Sequence, residues 1–463
     1  MTALELRSSP DSDAPVALMP ALLPLSAGEQ YRFAFTVDAC IGCHSCEVAC
    51  AEQNGLPVGT SWRRVGELEG GTYPNAKRFH LSMACHHCLE PACLEGCPTD
   101  AYVKLGNGIV QHHADDCIGC QYCTWNCPYS IPAFQPDRRI VTKCDMCTPR
   151  LDAGLEPACV GACPTKALTV ETVNIEEWRA DHRAADAPRL PSSNVTISTT
   201  RIQLPEGVPL DAYGASDWDV RPEHAHWPLV WLTLLTQVAV GISATAGDVT
   251  ARIVAAVIAV LALSTSVFHL GRPLHAWKAL RNIRRSWLSR EVVLFALYAA
   301  TAVLAAAVPP AAPAAVIVGA AGVYASGRLY VVPGRPAWNT PLTPIQFGLT
   351  AVSLGSLVTG HVAFAVAALS AQLVALALNL VRLARDRRPE ARGTVSLMLR
   401  WFRPAFVLRM ALTLGAVTLV TTGSPLIALP LACAGEFIGR WLFYVTVVPL
   451  SMPGSFNASN AAS

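Results

Sequence analysis

Sixteen of the seventeen cysteines lie between Cys40 and Cys163, in four groups of four. The groups are Cys40, Cys43, Cys46, Cys50; Cys85, Cys88, Cys93, Cys97; Cys117, Cys120, Cys123, Cys127; and Cys144, Cys147, Cys159, Cys163. The first and third read C-x2-C-x2-C-x3-C, the second C-x2-C-x4-C-x3-C and the fourth C-x2-C-x11-C-x3-C. Thiolates at these spacings hold iron–sulfur cubes. Three cysteines on a tight loop wrap three corners of a cube, and the helical turn carrying x3-C points its thiolate away toward a second one. Pairs of groups therefore make pairs of clusters, and sixteen thiolates make four [4Fe–4S] clusters. The chemistry is one-electron transfer along a row of carriers.

Other uses of cysteine fit less well. Repeated CxxC with proline after the last cysteine (Pro98, Pro128, Pro164) is not a disulfide framework. Structural zinc also uses CxxC pairs, but it does not need this repeated run. Ala51 stands where the first group would carry its proline, which removes no ligand. His86 and His87 read as packing or cluster-tuning groups, because the cysteines already complete four ligand sets. The seventeenth cysteine, Cys433, lies in an apolar stretch and reads as a small packing residue.

The elements that carry these groups divide the chain. It has 463 residues, 52% hydrophobic and only 15% charged, so there is room for two or three domains and a large apolar part. The cysteines and most acidic residues fall in 31–225, while Ala, Val and Leu dominate from Trp227 onward. A net charge of +2 gives no reason to expect a nucleic-acid partner. The expected division is a disordered leader at 1–30, a cluster domain at 31–178, an extended linker at 179–226, a membrane domain at 227–450 and a tail at 451–463. Prolines interrupt the first thirty residues, which show no secretory signal and no paired arginines. Within the linker, Thr199–Ile202 running to Pro205 has the look of a strand laid against a partner.

Eight apolar runs are long enough to cross a bilayer: about 228–247, 251–270, 291–308, 314–332, 344–360, 361–381, 404–422 and 426–448. The unbroken run from Pro344 to Leu383 is split near Gly360 and His361, since one helix of that length would be about twice the hydrocarbon thickness. The connections after the second, fourth and sixth spans carry nearly all the basic residues, from Arg272 to Arg403, against Arg252 alone in the others. An even number of spans puts those loops on the N-terminal side. The positive-inside rule makes that side cytoplasmic, in an inner (cytoplasmic) membrane.

The N-terminal half resembles the four-cluster iron–sulfur subunit of the dimethyl sulfoxide reductase-like molybdenum oxidoreductases. The resemblance covers about 31–175 and is carried by Cys40-Ile41-Gly42-Cys43-His44-Ser45-Cys46-Glu47, by Cys85-His86-His87-Cys88-Leu89-Glu90-Pro91-Ala92-Cys93 and by Cys117-Ile118-Gly119-Cys120-Gln121-Tyr122-Cys123. Relatives with a three-iron cluster lack one cysteine of the third group, whereas Cys123 is present. The C-terminal half looks like the polytopic, quinone-reactive anchor of the same enzymes, through His226-Trp227-Pro228-Leu229, His269-Leu270-Gly271-Arg272-Pro273, Leu288-Ser289-Arg290-Glu291, Pro336-Ala337-Trp338-Asn339-Thr340-Pro341 and Gly435-Glu436. The two parts are usually separate chains, so this sequence resembles a fusion. The family's third member, a large molybdopterin-binding catalytic subunit, is the implied partner.

The resemblance implies crossed ligand sets. One cube takes Cys40, Cys43, Cys46 and Cys163, and a second takes Cys50, Cys144, Cys147 and Cys159. A third takes Cys85, Cys88, Cys93 and Cys127, and the fourth takes Cys97, Cys117, Cys120 and Cys123. It also implies a quinol site, with menaquinol or ubiquinol as substrate. His269, ending the second span, is the expected proton and hydrogen-bond partner; as a bare residue it also reads as an interfacial histidine bonded to a loop. Glu291, opening the third span, reads equally as a proton carrier or a helix-end carboxylate. Arg272 is a candidate to hold a quinone oxygen or a topology charge. Glu436 and Arg440, four apart on one helix, read as a mutual ion pair. No haem is expected, because His269 and His361 are the only span histidines and would approach from opposite sides.

The expected fold is an α+β bis-ferredoxin-like [4Fe–4S] domain followed by an all-α polytopic membrane domain of about eight transmembrane helices. The expected function is electron transfer and membrane anchoring between the quinol pool and a separate catalytic subunit, in anaerobic respiration of an S-oxide or N-oxide. Two alternatives stand beside it: the same wire run in reverse from sulfite, formate or a similar substrate, and a redox-driven ion translocator. The translocator would need a file of buried acids across the helices, and few lie away from the helix ends.

Overall fold

The computed structural model describes residues 25–208, 213–215 and 220–453. Most of the expected leader (1–24) and most of the expected tail (454–463) lie outside the described residues.

Short strands and single-turn helices alternate through the cluster domain. In chain order they are β1 (Glu29–Thr36), α1 (Ser45–Gln53), β2 (Arg64–Gly70), β3 (Lys77–Met83), α2 (Ala92–Gly96), β4 (Tyr102–Lys104), β5 (Val110–His112), α3 (Tyr122–Asn126), β6 (Ala133–Gln135), β7 (Ile140–Thr142), α4 (Thr148–Asp152), α5 (Ala158–Gly161), β8 (Leu168–Asn174), α6 (Ile175–Ala180), β9 (Arg201–Gln203) and β10 (Tyr213–Ala215). The sheets are small: β8-β1-β9, β10-β2-β3, β4-β5 and β6-β7. Each helix among α1, α2, α3 and α5 holds or closes on the x3-C end of a cysteine group, so its turn carries one cysteine away from the loop that holds the others.

The described residues of 179–226, expected as an extended linker, pack on this domain. β9 pairs in parallel with β1, Ala34 opposite Arg201. The strand read at Thr199–Ile202 thus lies against the chain's own sheet. The Thr199 hydroxyl donates to the His86 carbonyl at 2.6 Å, and Thr196, Ser198, Thr199 and Thr200 are buried. Satisfied hydroxyls explain how so polar a run sits inside.

The membrane domain follows as α7 (Trp227–Thr245), α8 (Val249–Ser266), α9 (Trp287–Ala307), α10 (Ala312–Leu329), α11 (Leu342–Val358), α12 (Val362–Arg385), α13 (Pro389–Ser396), α14 (Arg403–Thr421) and α15 (Pro425–Val445). Seven of these helices, with their short helical extensions, are long and apolar enough to cross a membrane, and α11 is a shorter apolar helix among the described residues. The split between α11 and α12 falls where the sequence placed it, on Gly360 with φ +80°, a conformation glycine adopts without penalty. Gly241 of α7 faces Ala351 and Gly355 of α11 so closely that a Cβ would overlap backbone atoms. Without a hydrophobic drive between helices in lipid, such close approach of small residues supplies the packing.

Glu436 and Arg440 do not pair. Glu436 Oε2 accepts from the Thr350 hydroxyl at 2.8 Å. Arg440 donates to Gln237 Oε1 at 2.8 Å and lies 3.8 Å from the Phe347 ring centroid. Facing helices thus offer each group a neutral partner.

After α15 the chain returns to the cluster domain. The Ser130 hydroxyl donates to the Leu450 carbonyl at 2.7 Å, and Met452 Sδ lies 3.0 Å from His86 Nε2.

Candidate electron-transfer and quinol site

Three of the four cysteine sets that the resemblance implied each line one cavity. Cys40, Cys43, Cys46 and Cys163 line a cavity of about 320 Å³. Cys85, Cys88, Cys93 and Cys127 line one of about 370 Å³, and Cys97, Cys117, Cys120 and Cys123 one of about 290 Å³. The remaining cysteines, Cys50, Cys144, Cys147 and Cys159, are mutual electrostatic neighbours. Asn54 lies between two of them, its amide 3.7 Å from Cys50 Sγ.

The donor chemistry fits iron–sulfur cubes. Among the described residues no three His, Cys, Asp or Glu side chains converge to hold a single ion. Four thiols spread around a cavity suit a cube, in which each cysteine takes a different iron; zinc needs four ligands about 2.0–2.3 Å from one point. Burial pushes the thiols of Cys50, Cys88 and Cys127 up to about 12. These sites favour proton or metal over bare thiolate, so metal binding there releases protons.

The four cysteine sets connect in order, as a row. Single helices carry adjoining members: α1 holds Cys46 and Cys50, α3 holds Cys123 and closes on Cys127, and α2 holds Cys93 and closes on Cys97. His87 bridges the middle. Its Nδ1 accepts from the Val110 amide at 3.1 Å, which leaves the proton on Nε2, 4.0 Å from Cys144 Sγ. His86 stacks on Tyr129 at 4.1 Å. At one end of the row Cys43 is exposed. At the other, Cys120 lines a much larger cavity.

That cavity, about 830 Å³, lies where the cluster domain meets α7, α8, α9 and α10. It holds His269 and Glu291 together, with Cys120, Tyr122, Trp125 and Tyr330 in the same wall. Among the described residues, no hydrogen bond of ordinary geometry reaches the buried His269 Nδ1. Glu291 is buried one turn inside α9, which starts at Trp287, so it faces the cavity and does not cap the helix. Arg272 is not part of this wall. Its guanidinium donates to the Ala114 carbonyl at 2.9 Å and its amide to the Ile118 carbonyl at 3.0 Å. It joins the two domains.

The loop 270–286 makes further contacts of that kind. Asn282 donates to the Cys97 carbonyl at 2.8 Å and Ser286 to the Gly96 carbonyl at 2.7 Å. Lys278 and Arg281 reach Asp116 at 3.2 and 2.6 Å. Sequence reasoning missed Tyr122, Trp125 and Tyr330 because aromatic residues at such positions read as ordinary packing. The one available signal was the placement of Tyr122 between two cysteines.

Comparison with known proteins agrees with this geometry. Residues 76–173 match the 4Fe-4S dicluster domain, and 223–398 match the DMSO reductase anchor subunit (DmsC). An anaerobic dimethyl sulfoxide reductase component of Haemophilus influenzae is 36% identical over 177 residues, covering 36% of this chain and 86% of that protein. The chain belongs to the dimethyl sulfoxide reductase iron–sulfur subunit family, here fused to the anchor. The like-named component from Escherichia coli K12 is 38% identical over 177 residues, 36% of this chain and 85% of its own length. A sulfite dehydrogenase subunit of Allochromatium vinosum is 38% identical over 160 residues, 30% of this chain and 67% of its own length. This dimethyl sulfoxide reductase-type fusion is a multipass membrane protein that carries iron–sulfur clusters, transfers electrons and anchors a catalytic subunit.

Proposed function

We propose that this chain oxidises quinol at the cavity holding His269 and Glu291 and passes the electrons through four [4Fe–4S] clusters to a molybdopterin catalytic subunit that reduces an S-oxide or N-oxide. The observation that carries the reading is the shared wall: His269, Glu291 and Cys120 line one cavity of about 830 Å³. The ligand sets are those of the resemblance, and the three cavities with four cysteines each support them. When bound, the cubes supply the one-electron steps of the wire. The chain's own residues do the rest. His269 and Glu291 accept the quinol protons, within reach of general acid–base work. Apolar neighbours such as Leu229, Leu263 and Phe295 receive the ring and exclude water. Cys43, exposed at the far end, gives the electrons an exit toward the partner.

The membrane is the inner one, with the cluster domain on the cytoplasmic side. Similarity to the sulfite dehydrogenase subunit supports a second reading, the same wire run from substrate into the quinone pool. Adding quinol anaerobically to the oxidised protein in detergent should reduce the clusters, seen as loss of visible absorbance. No bleaching with quinol, alongside full bleaching by dithionite, would overturn the quinol site. Reduction of quinone by the assembled complex with sulfite, and no S-oxide or N-oxide turnover, would favour the second reading.

A further inference from the structure

Arg63 is among the largest fully buried side chains in the molecule, 2% exposed. It sits just before β2, and among the described residues no carboxylate pairs with it. One guanidinium nitrogen donates to the Ser82 carbonyl at 3.0 Å and the Ser82 hydroxyl at 3.1 Å. That hydroxyl lies 3.2 Å from Cys46 Sγ. The guanidinium carbon lies 4.6 Å from the Phe33 ring centroid. Nε and Nη2 are buried with no hydrogen-bond partner among the described residues. Its main electrostatic neighbours are Cys159, Cys46, Cys144 and Cys50, whose sulfurs carry charge once they ligate iron, with His86 and His87 also nearby.

A guanidinium stays protonated wherever it is put. Burying an unpaired charge is costly, and buried cations are found with an anion or with every donor satisfied. Arg63 has neither among the described residues. The cysteines nearest it electrostatically belong to two ligand sets: Cys46 from the first, and Cys50, Cys144 and Cys159 from the second. We propose that Arg63 is the shared counter-ion of the first and second clusters, donating the free N–H groups of Nε and Nη2 toward them and stabilising each electron that arrives there.

The consequence is directional along the row. A buried positive charge favours the reduced, more negative state of whatever it touches, and it does so strongly where the dielectric is low. Lys143, another buried cation, has Cys85, Cys93 and Cys144 as charged neighbours and so acts on the third and second sets, and Arg335, beside Cys127, is paired with Glu223. The main charged neighbours of Cys97, Cys120 and Cys123 are other cysteines of their set, with no arginine or lysine among them. Arg63 therefore makes the end of the wire remote from the quinol cavity the better electron acceptor. It is a positioning and tuning residue, not a catalytic one.

The proposal rests on the sixteen-cysteine ligand reading, and its test separates the two. Iron and sulfide content, and the reduction midpoint of each cluster by EPR, are measured for the wild-type chain, Arg63→Lys and Arg63→Gln. In Arg63→Gln, two of the cluster signals should move to lower potential and the others stay in place. Arg63→Lys, which keeps the charge, should move them much less. Unmoved midpoints in a fully loaded Arg63→Gln protein, or a uniform shift of all signals, overturn the counter-ion role. If Arg63→Gln loses clusters, Arg63→Lys should restore the iron content; loss in both variants overturns the proposal in favour of a purely packing role. A wild-type chain with only two clusters would defeat the ligand reading before any variant is compared.

Discussion

The Tyr122 hydroxyl donates to the Leu329 backbone carbonyl at 2.7 Å. Tyr122 lies between Cys120 and Cys123, and Leu329 ends α10. Both residues line the large cavity. One hydrogen bond thus fixes a thiol-bearing loop to the membrane wall of the proposed quinol site. Tyr122→Phe leaves a buried carbonyl unsatisfied, a loss of about 1–3 kcal/mol. Domain docking should weaken by that amount, read as earlier unfolding in detergent. Quinol-driven reduction of the clusters should slow while dye-driven reduction persists. Unchanged melting and unchanged rates would show that the bond does not hold the interface.

His269 and Glu291 should separate quinol chemistry from cluster chemistry. His269→Ala and Glu291→Gln each remove a proton partner from the cavity without touching a cysteine. Quinol-dependent turnover should fall by about 10²-fold or more, the lower range for loss of general acid–base help. An artificial dye that feeds the clusters directly should still support turnover. Equal loss with both donors would make the residues structural, and no loss would place quinol elsewhere.

Cys97 tests the crossed ligation. It belongs to the second group in sequence but lines the cavity of Cys117, Cys120 and Cys123. The wild-type chain should hold about sixteen iron and sixteen sulfide, four cubes' worth. Cys97→Ser should remove the cube nearest the quinol cavity and leave about twelve iron, three cubes' worth. Quinol-driven reduction should then stop while dithionite still reduces the other three. Loss of the cube built on Cys85, Cys88 and Cys93 instead would mean that Cys97 serves its own sequence group.

The four cysteine groups were legible because cube ligation forces both residue type and spacing, whereas which groups share a cube came from the resemblance. The helices were legible because lipid forces long apolar runs. The ends of those runs were less so. The eighth span reads from sequence to about 448, yet α15 stops at Val445, and Val447, Val448 and Leu450 are buried after it. An apolar segment buried in protein looks the same as one buried in lipid. The contacts of Arg272 were not legible for a related reason. A basic residue beside a span end reads as a quinone ligand or a topology charge, and only the fold shows the carbonyl it meets. Arg63 carried no signal, since one of two adjacent arginines (Arg63 and Arg64) in a charged stretch reads as solvated.

The docking contacts also bear on sidedness. Arg272, Lys278, Arg281 and Arg285 all meet cluster-domain atoms, Arg285 at 4.0 Å from Glu95. Their charge is therefore explained by the interface as well as by topology. The remaining basic residues of these loops, among them Arg284, Arg290, Arg387, Arg392, Arg400 and Arg403, must carry the positive-inside argument. They outnumber Arg252, the single basic residue in the opposite loops. With α11 taken as a crossing beside the seven long helices, the number of crossings is even and both ends of the membrane domain share a side. A reporter fused after Ser463 should therefore read as cytoplasmic. A cysteine introduced at Asp248, between α7 and α8, should react with an impermeant thiol reagent from outside. Reaction of Asp248→Cys only after the membrane is breached, with an external reporter at the C-terminus, would invert the chain. The clusters would then face outward, and quinol protons would be released on that side.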